Sequence, residues 1–326
     1  MNLNLSQAAE FFRQNDNFTL LCHANPDGDT LGSGYALCGA LHMLGKRAKV
    51  LCADKASTRF DYLKEALVPA LTDVDESSGK IITVDVADLE LLGDLKEQYT
   101  DIDLCVDHHV SNKFFAKATL LDTAAAACAE LVWDLIKELM GGEVAQVGAE
   151  IRTAVYTGVS TDTGCFRFSN TTAKSHAIAA ELMDFENMVK RVAQINYIMF
   201  EMKTLGRIEL EQKAYSGIEY HFDNKCAVIV LTRDMLADID TADTANVSVL
   251  PKQVEGVQVG ILLKERDSSE DANKWKISVR TNMNIDAQEI CSVLGGGGHV
   301  RAAGCKLKGS VEEVKTRVLA EVEKQL

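Results

Sequence analysis

Four short apolar runs, at residues 18–22, 48–52, 80–86 and 102–106, alternate with helical patterns over the first third of the chain. The runs are continuous rather than alternating, which is the pattern of strands buried on both faces. Strands of that kind, separated by helices, predict a mainly parallel sheet with helices packed on both sides. Such a sheet gathers its ligands beyond the carboxyl ends of its strands. His23, Asp27, Asp29, Asp85, Asp107 and His108 all fall at or just past those predicted ends.

The stretch 18–34, FTLLCHANPDGDTLGSG, carries the densest part of this pattern. An apolar strand breaks at His23, and apolar residues return at helical spacing with Leu31, Tyr35, Leu37, Leu41 and Leu44. Pro26 is expected to bias Asn25 toward extended backbone, and Gly28 to act as a hinge. The loop has two readings. It is a helix cap, with Asp29 or Thr30 at the N-cap and Asp27 in the turn. Alternatively, one imidazole and two carboxylates converge on a divalent cation. Further ligands elsewhere favour the second reading. Asp85 follows a strand, Asp107-His108-His109 follows another, and Asp162 lies in the polar stretch VYTGVSTDTG, expected to be a loop. That stretch is not a serine nucleophile elbow, because Asp162 stands where the second glycine belongs.

A chain of 326 residues favours two domains. A formal net charge of −14 argues against a protein that coats long nucleic acid, yet leaves room for a small anionic substrate near metal ions. No apolar run has the length of a membrane span and no signal peptide is recognisable, so a cytoplasmic protein is expected. The nine cysteines lack a C-x-x-C pair and read as reduced, mostly buried thiols.

Helices are expected at 5–14, from the acidic loop to 44, at 60–66, 89–95, 123–140 and 144–159, and almost throughout 172–214. Beyond 217 the texture changes to strands at 218–222, 226–231, 254–264, 275–280 and 305–307, with a charged hairpin loop at 265–274 and a closing helix at 311–324. The predicted layout is a metal-binding domain over 1–195, a helical linker over 196–214 and a smaller α/β domain over 215–326.

Four carboxylates and two imidazoles (Asp27, Asp29, Asp85, Asp162, His23, His108) balance the charge of two divalent ions. Mixed oxygen and nitrogen donors suit Mn²⁺, with Mg²⁺, Co²⁺ or Zn²⁺ as alternatives. Two such ions about 3.5–4 Å apart are a standard device for in-line displacement at phosphorus.

Five ordered motifs make the chain resemble the DHH–DHHA1 phosphoesterase family. They are His23-x-Asn25-Pro26-Asp27-Gly28-Asp29, Asp85 in VDVAD, Asp107-His108-His109, Asp162 in GVSTDTG, and Gly295-Gly296-Gly297-Gly298-His299. The compact length is most similar to its small nanoRNase/pAp-phosphatase group. The resemblance implies that His23, Asp27 and Asp85 bind one Mn²⁺ and that Asp29, Asp85, His108 and Asp162 bind the other. It implies that Asp107 orients a neighbouring histidine and that His109 serves the scissile phosphate. In the second domain it implies phosphate binding by Gly296, Gly297, Gly298, His299 and Arg280, with Arg301 a weaker candidate. The expected activity is hydrolysis of short single-stranded oligoribonucleotides to 5′-mononucleotides, with dephosphorylation of 3′-phosphoadenosine 5′-phosphate beside it. A homodimer is also implied. The rival readings are cleavage of linear or cyclic dinucleotides, a RecJ-like single-strand exonuclease, a pyrophosphatase, and a nucleotide-binding regulator without catalysis.

Overall fold

In the N-terminal part, five strands run parallel in the order β2-β1-β3-β4-β5. They are β1 (Phe18–Leu21), β2 (Ala48–Leu51), β3 (Lys80–Val84), β4 (Leu104–Asp107) and β5 (Ala118–Leu121). The first four coincide with the apolar runs. β5 is an addition to the predicted strands, a run of only four residues, ATLL. From β1 the chain crosses to the edge at β2, then returns to lay β3 on the other side of β1. That reversal opens a crevice at the carboxyl ends of β1 and β3.

The computed structural model describes residues 1–239, 244, 247–266, 273–282 and 285–326. They divide into two units, Met1–Met202 and Lys203–Leu326. In the first, α1 (Leu5–Gln14), α2 (Gly28–Met43), α4 (Cys128–Leu139) and α5 (Ala149–Asp162) pack on one face of the sheet, burying Phe12, Phe18, Leu20, Ile82, Val84, Trp133 and Ile136 completely. Each such side chain contributes about 1.5–3 kcal/mol by leaving water. The other face carries a smaller cluster of Leu21, Val86, Leu92, Tyr99 and Cys105, beside the short α3 (Leu95–Gln98). Helices α6 (Ala173–Met183) and α7 (Met188–Asn196) complete the unit.

Helix α2 meets α5 closely at Gly32, where a Cβ would stand 2.5 Å from the Ala154 carbonyl and 2.8 Å from Gly158 N, and Gly158 in turn lets α5 approach Ala129 of α4. This approach carries the end of α5, with Asp162, toward the loop after β1.

Several elements differ from expectation. The helix predicted at 123–140 starts at Cys128, since residues 123–127 spend their backbone groups on other partners. The helix predicted to end at 159 runs to Asp162, which therefore sits in a final helical turn rather than in a loop. Residues 60–66 are 3₁₀-helical within Thr58–Ala66. The helix expected almost throughout 172–214 is interrupted. Helix α7 ends at Asn196, a π-helical turn covers Tyr197–Glu201, and α8 (Leu205–Ser216) starts anew under a Thr204 cap.

The second unit holds a mixed sheet ordered β10-β11-β9-β8-β7-β6. Its strands are β6 (Glu219–His221), β7 (Cys226–Leu231), β8 (Val259–Glu265), β9 (Lys274–Thr281), β10 (Gly297–His299) and β11 (Ala302–Lys308). Only β7 and β8 pair in parallel among the described strands of this sheet. Between β6 and β7 the chain turns with Phe222, Asp223 and Asn224 all left-handed. Helices α10 (Ala287–Val293) and α11 (Val311–Glu323) cover one face, and α9 (Arg233–Leu236) follows β7. Residues 267–272 of the expected charged hairpin lie outside the described residues.

Candidate metal centre

The loop after β1 combines a helix cap with converging donors, but the cap is Asp27 rather than the expected Asp29 or Thr30, which lie within the first turn of α2. Asp27 is the N-cap of α2, its Oδ1 accepting from the Asp29 and Thr30 N–H groups at 3.0 and 3.1 Å. The same oxygen lies 3.6 Å from His23 Nε2. Asn25 has φ +53° rather than the extended backbone expected before Pro26, and its N–H donates to Asp54 Oδ2 at 2.7 Å. Asparagine tolerates that conformation. Gly28 is not a hinge of unusual backbone. It is the first residue of α2, and a Cβ there would fall 2.4 Å from Thr161 Oγ1.

Three overlapping groups of donors form. His23 Nε2 lies 3.6 Å from Asp27 Oδ1 and 3.7 Å from Asp85 Oδ2. His108 Nε2 lies 3.5 Å from Asp85 Oδ1, 3.7 Å from Asp29 Oδ2 and 3.8 Å from Asp162 Oδ2. The third group is Asp85, His108 and His109. These separations are too long for hydrogen bonds. They suit donors sharing a cation at about 2.0–2.2 Å from each.

The imidazoles are turned for ligation. His23 Nδ1 lies 2.8 Å from the Ala24 carbonyl and His108 Nδ1 lies 3.1 Å from the Ala125 carbonyl. Each Nδ1–H is thereby spent on backbone, which leaves an Nε2 lone pair aimed at the carboxylates. Asp85 is the point where the groups overlap. It is buried, its Oδ1 has no hydrogen-bond partner, and its φ is +61°. An unpartnered buried carboxylate oxygen in a strained residue needs a cation to offset its desolvation.

Asp29 is held by the start of α4, which has no side-chain cap of its own. Its Oδ2 accepts from Cys128 N–H at 2.6 Å and its Oδ1 from Ala129 N–H at 2.9 Å, with Ser33 Oγ donating to Oδ1 at 3.1 Å. Burial, then the charges of Asp162 and Asp27, still push its carboxyl well above the ordinary range. Burial, then Asp29 and Asp27, do the same to Asp85. Burial also raises Asp162, against the opposing pull of His108. The cluster holds more negative charge than its own partners neutralise.

Asp107 belongs to none of these groups but holds His109, whose Nδ1 also lies 3.6 Å from Asp85 Oδ1. His109 Nδ1 lies 2.8 Å from Asp107 Oδ1, and Asn112 Nδ2 donates to Asp107 Oδ2 at 2.6 Å. Burial would raise Asp107, but the bonds from His109 and Asn112 bring it below the ordinary range. The bond to Asp107 raises His109, whose side chain is 42% exposed.

The remaining support lies in a segment that reads from sequence as featureless helix. In residues 122–130, DTAAAACAE, the main chain does the holding. The Ala125 carbonyl takes His108, and the Cys128 and Ala129 N–H groups take Asp29. The Ala126 carbonyl accepts from Asn170 Nδ2 at 3.0 Å, and that amide also reaches the Asp162 carbonyl at 3.1 Å. Buried Glu130 accepts from Ala126 N–H at 3.3 Å and from Ser175 Oγ at 2.5 Å. Sequence reasoning misses Asn112, Asn170, Glu130 and Ser175. Only the charge at Glu130, within an apolar run, could have signalled one of them.

Residues 17–159 match the DHH family, N-terminal domain, and residues 223–326 match the DHHA1 domain. The chain is 33% identical over 305 residues to the bifunctional oligoribonuclease and PAP phosphatase NrnA of Thermus thermophilus, covering 93% of this chain and 88% of that protein. The chain belongs to the DHH family. It is a phosphoesterase of that family, with the DHH domain joined to a DHHA1 domain. Among solved structures, the fold is similar to an exopolyphosphatase-related protein from Bacteroides fragilis, with a TM-score of 0.83 at 21% identity over 98% of this chain and 95% of that one. It is also similar to RecJ of Thermus thermophilus in complex with Mn²⁺, with a TM-score of 0.50 at 15% identity over 98% of this chain and 55% of that one. Among the described residues no helix is long and apolar enough to cross a membrane.

In the DHHA1 domain the glycine run is not an open loop. Gly297 and Gly298 enter the edge strand β10, paired with Gly304 and Ala303 of β11, and His299 pairs with Ala302. His299 is exposed. Gly296 abuts β11, where a Cβ would fall 2.2 Å from the Gly304 carbonyl. Arg280 lies in β9 opposite Ala302, half-buried, with Nη1 donating to the Val279 carbonyl at 3.1 Å. Arg301 donates from Nη1 to the Ile285 carbonyl at 2.9 Å, a structural bond that ties β11 to the start of α10.

Proposed function

We propose that this DHH protein is a two-metal phosphodiesterase that hydrolyses short oligoribonucleotides to 5′-mononucleotides, and that the same centre dephosphorylates 3′-phosphoadenosine 5′-phosphate. The observation that carries it is Asp85, a buried carboxylate with one oxygen toward His23 and the other toward His108. The name of the Thermus relative, an oligoribonuclease and PAP phosphatase, supports the choice of substrate. The Mn²⁺ complex of RecJ supports the choice of metal, with Mg²⁺ or Co²⁺ as substitutes.

In this reading His23, Asp27 and Asp85 hold one ion, and Asp29, Asp85, His108 and Asp162 hold the other. Ions bound there would supply Lewis-acid activation of water and neutralise charge on the phosphate. The protein's own share is orientation and proton handling. The Ala24 and Ala125 carbonyls fix both ligating imidazoles in one tautomer. Asp107 keeps the His109 proton on Nδ1 and favours the charged ring, leaving Nε2–H to donate to a phosphate oxygen or to the departing oxygen. Arg280, Gly296, Gly297, Gly298, His299 and Arg301 are proposed as the substrate-binding residues of the DHHA1 domain. For β10 this means the outward N–H groups of an edge strand. The free cysteines, mostly buried, fit a reducing compartment, and we place the protein in the cytoplasm.

The test is a substrate panel of 3′-phosphoadenosine 5′-phosphate, a linear dinucleotide, RNAs of about two to seven and about thirty nucleotides, single-stranded DNA and pyrophosphate. Each is run with Mn²⁺, Mg²⁺ and chelator. Fast Mn²⁺-dependent release of mononucleotides from the shortest RNAs is expected. Equal turnover of the two-nucleotide and thirty-nucleotide RNAs overturns the short-substrate reading.

A further inference from the structure

The turn after Asp162 is more strained than ending a helix requires. Helix α5 stops in a Schellman arrangement, with Cys165 N–H bonding the Ser160 carbonyl at 2.6 Å and Gly164 N–H bonding the Thr161 carbonyl at 3.1 Å. Gly164 alone, at φ +57°, satisfies that motif. Cys165 and Phe166 nevertheless continue in the left-handed region at +57° and +61°. Two non-glycine residues held there cost about 1–3 kcal/mol each, and such strain clusters at ligand sites.

The strained backbone aims the residues around it. Phe166 turns inward and stacks on His176, with ring centroids 5.1 Å apart. Thr163 Oγ1 accepts from Phe166 N–H at 3.1 Å, and the Thr163 carbonyl accepts from the Arg167 and Phe168 N–H groups at 3.0 Å. Arg167 braces the turn, its Nε donating to the Gly164 carbonyl at 2.7 Å and its guanidinium lying 5.9 Å from the Phe200 ring centroid. Asn170 ties the far end back to the Asp162 carbonyl. Phe168 then lies over Gly164 so closely that a Cβ there would meet its ring at 2.4 Å, while the side of the residue away from the turn leaves it 56% exposed.

A single exposed aromatic residue is ordinary. One clamped onto a strained, fully braced turn, six residues from a candidate metal ligand, is a platform. We propose that Phe168 is a base-stacking subsite, which receives the nucleobase of a nucleotide whose phosphate lies at the metal centre. Stacking accepts every base, because every base has a π-face. This gives affinity for nucleotides over phosphate esters that lack a base. The inference rests on the proposed nucleotide activity of this centre.

The test is equilibrium titration of the Mn²⁺-loaded protein with adenosine 5′-monophosphate and with ribose 5-phosphate, which share the phosphate and differ in the base. The wild type is expected to bind the first at least about fivefold more tightly. Phe168→Ala should erase that ratio while leaving ribose 5-phosphate affinity unchanged, and Phe168→Trp should keep it. Absence of a base-dependent affinity in the wild type, or a ratio that survives Phe168→Ala, overturns the proposal. An equal loss for both ligands in Phe168→Ala shows a structural role and overturns it too. Turnover of a dinucleotide by the wild type, measured separately, reports on the nuclease reading itself.

Discussion

Asp29 closes the N-terminus of the helix that begins at Cys128, its two oxygens accepting one backbone N–H each from Cys128 and Ala129. One carboxylate thus supplies the missing cap of α4 and faces His108 Nε2 at 3.7 Å. Folding and ligation use the same side chain. Asp29→Ala should therefore destabilise the protein by about 1–2 kcal/mol through the lost cap and also weaken metal binding. Asp29→Asn should recover part of the stability without recovering metal affinity. Thermal melts with and without Mn²⁺ separate the two effects. A melt of Asp29→Ala indistinguishable from wild type would refute the capping role.

Asp85 makes the complementary case, because its removal relieves the fold. Its burial beside Asp29, Asp27 and Asp107 opposes its charge, and its backbone sits at φ +61°. Asp85→Ala should abolish turnover, a loss of at least about a thousandfold, and yet melt no lower than the metal-free wild type. Asp85→Gly should be as inactive and more stable than the alanine variant by about 1 kcal/mol, since glycine accepts the left-handed backbone. Activity assays paired with calorimetry check this, and retained turnover in either variant counts against a shared ligand.

The acid cluster also sets a pH dependence. Asp29, Asp85 and Asp162 are raised in the fold, so the folded state binds their protons more tightly than the unfolded chain does. Their effect on stability is least harmful below the ordinary carboxylate range, and stability is lost as pH rises from there through the raised values. Divalent ions compete with those protons. The rise in melting temperature on adding Mn²⁺ should therefore be small near pH 5 and grow toward pH 8. A rise that is flat or shrinks with pH would show that these carboxylates do not bind the ion.

Much of this centre was legible in the chain, for a physical reason. A parallel sheet puts functional residues at strand ends, and His23, Asp85, Asp107 and His108 each follow an apolar run that is easily read. What escaped was whatever depends on backbone rather than side-chain identity. Residues 123–127 look helical because alanine favours helix, yet their carbonyls and N–H groups serve His108, Asn170 and Glu130 instead. Gly28 looks like a hinge because glycine permits one, whereas its role is to leave room for Thr161. The glycine run looks like a loop, although pairing with Ala302, Ala303 and Gly304 makes its end a strand. In each case a tertiary contact, absent from any local window, decided the outcome.

Gly158 tests how closely that packing governs the metal centre. A methyl added there would come 2.5 Å from Ala129 Cβ and 2.8 Å from Asp29 Oδ1, so α4 or Asp29 has to move. Gly158→Ala should cost about 1–3 kcal/mol by overpacking. It should also lower metal affinity, although residue 158 carries no donor. Normal Mn²⁺ affinity in a destabilised variant would mean that α5 supports the fold without positioning Asp29.

Asp107 offers the finest separation of roles, because it touches His109 and Asn112 but belongs to none of the three donor groups. Asp107→Asn keeps the shape and removes the charge that raises His109. The histidine then loses its proton at lower pH. The alkaline limb of the activity profile should shift down, and turnover should fall by about 10–100-fold. Mn²⁺ affinity, measured by titration, should change far less than in Asp85→Ala. If affinity and turnover fall together while the profile stays in place, Asp107 supports the metal site directly and His109 is not the group that serves the phosphate.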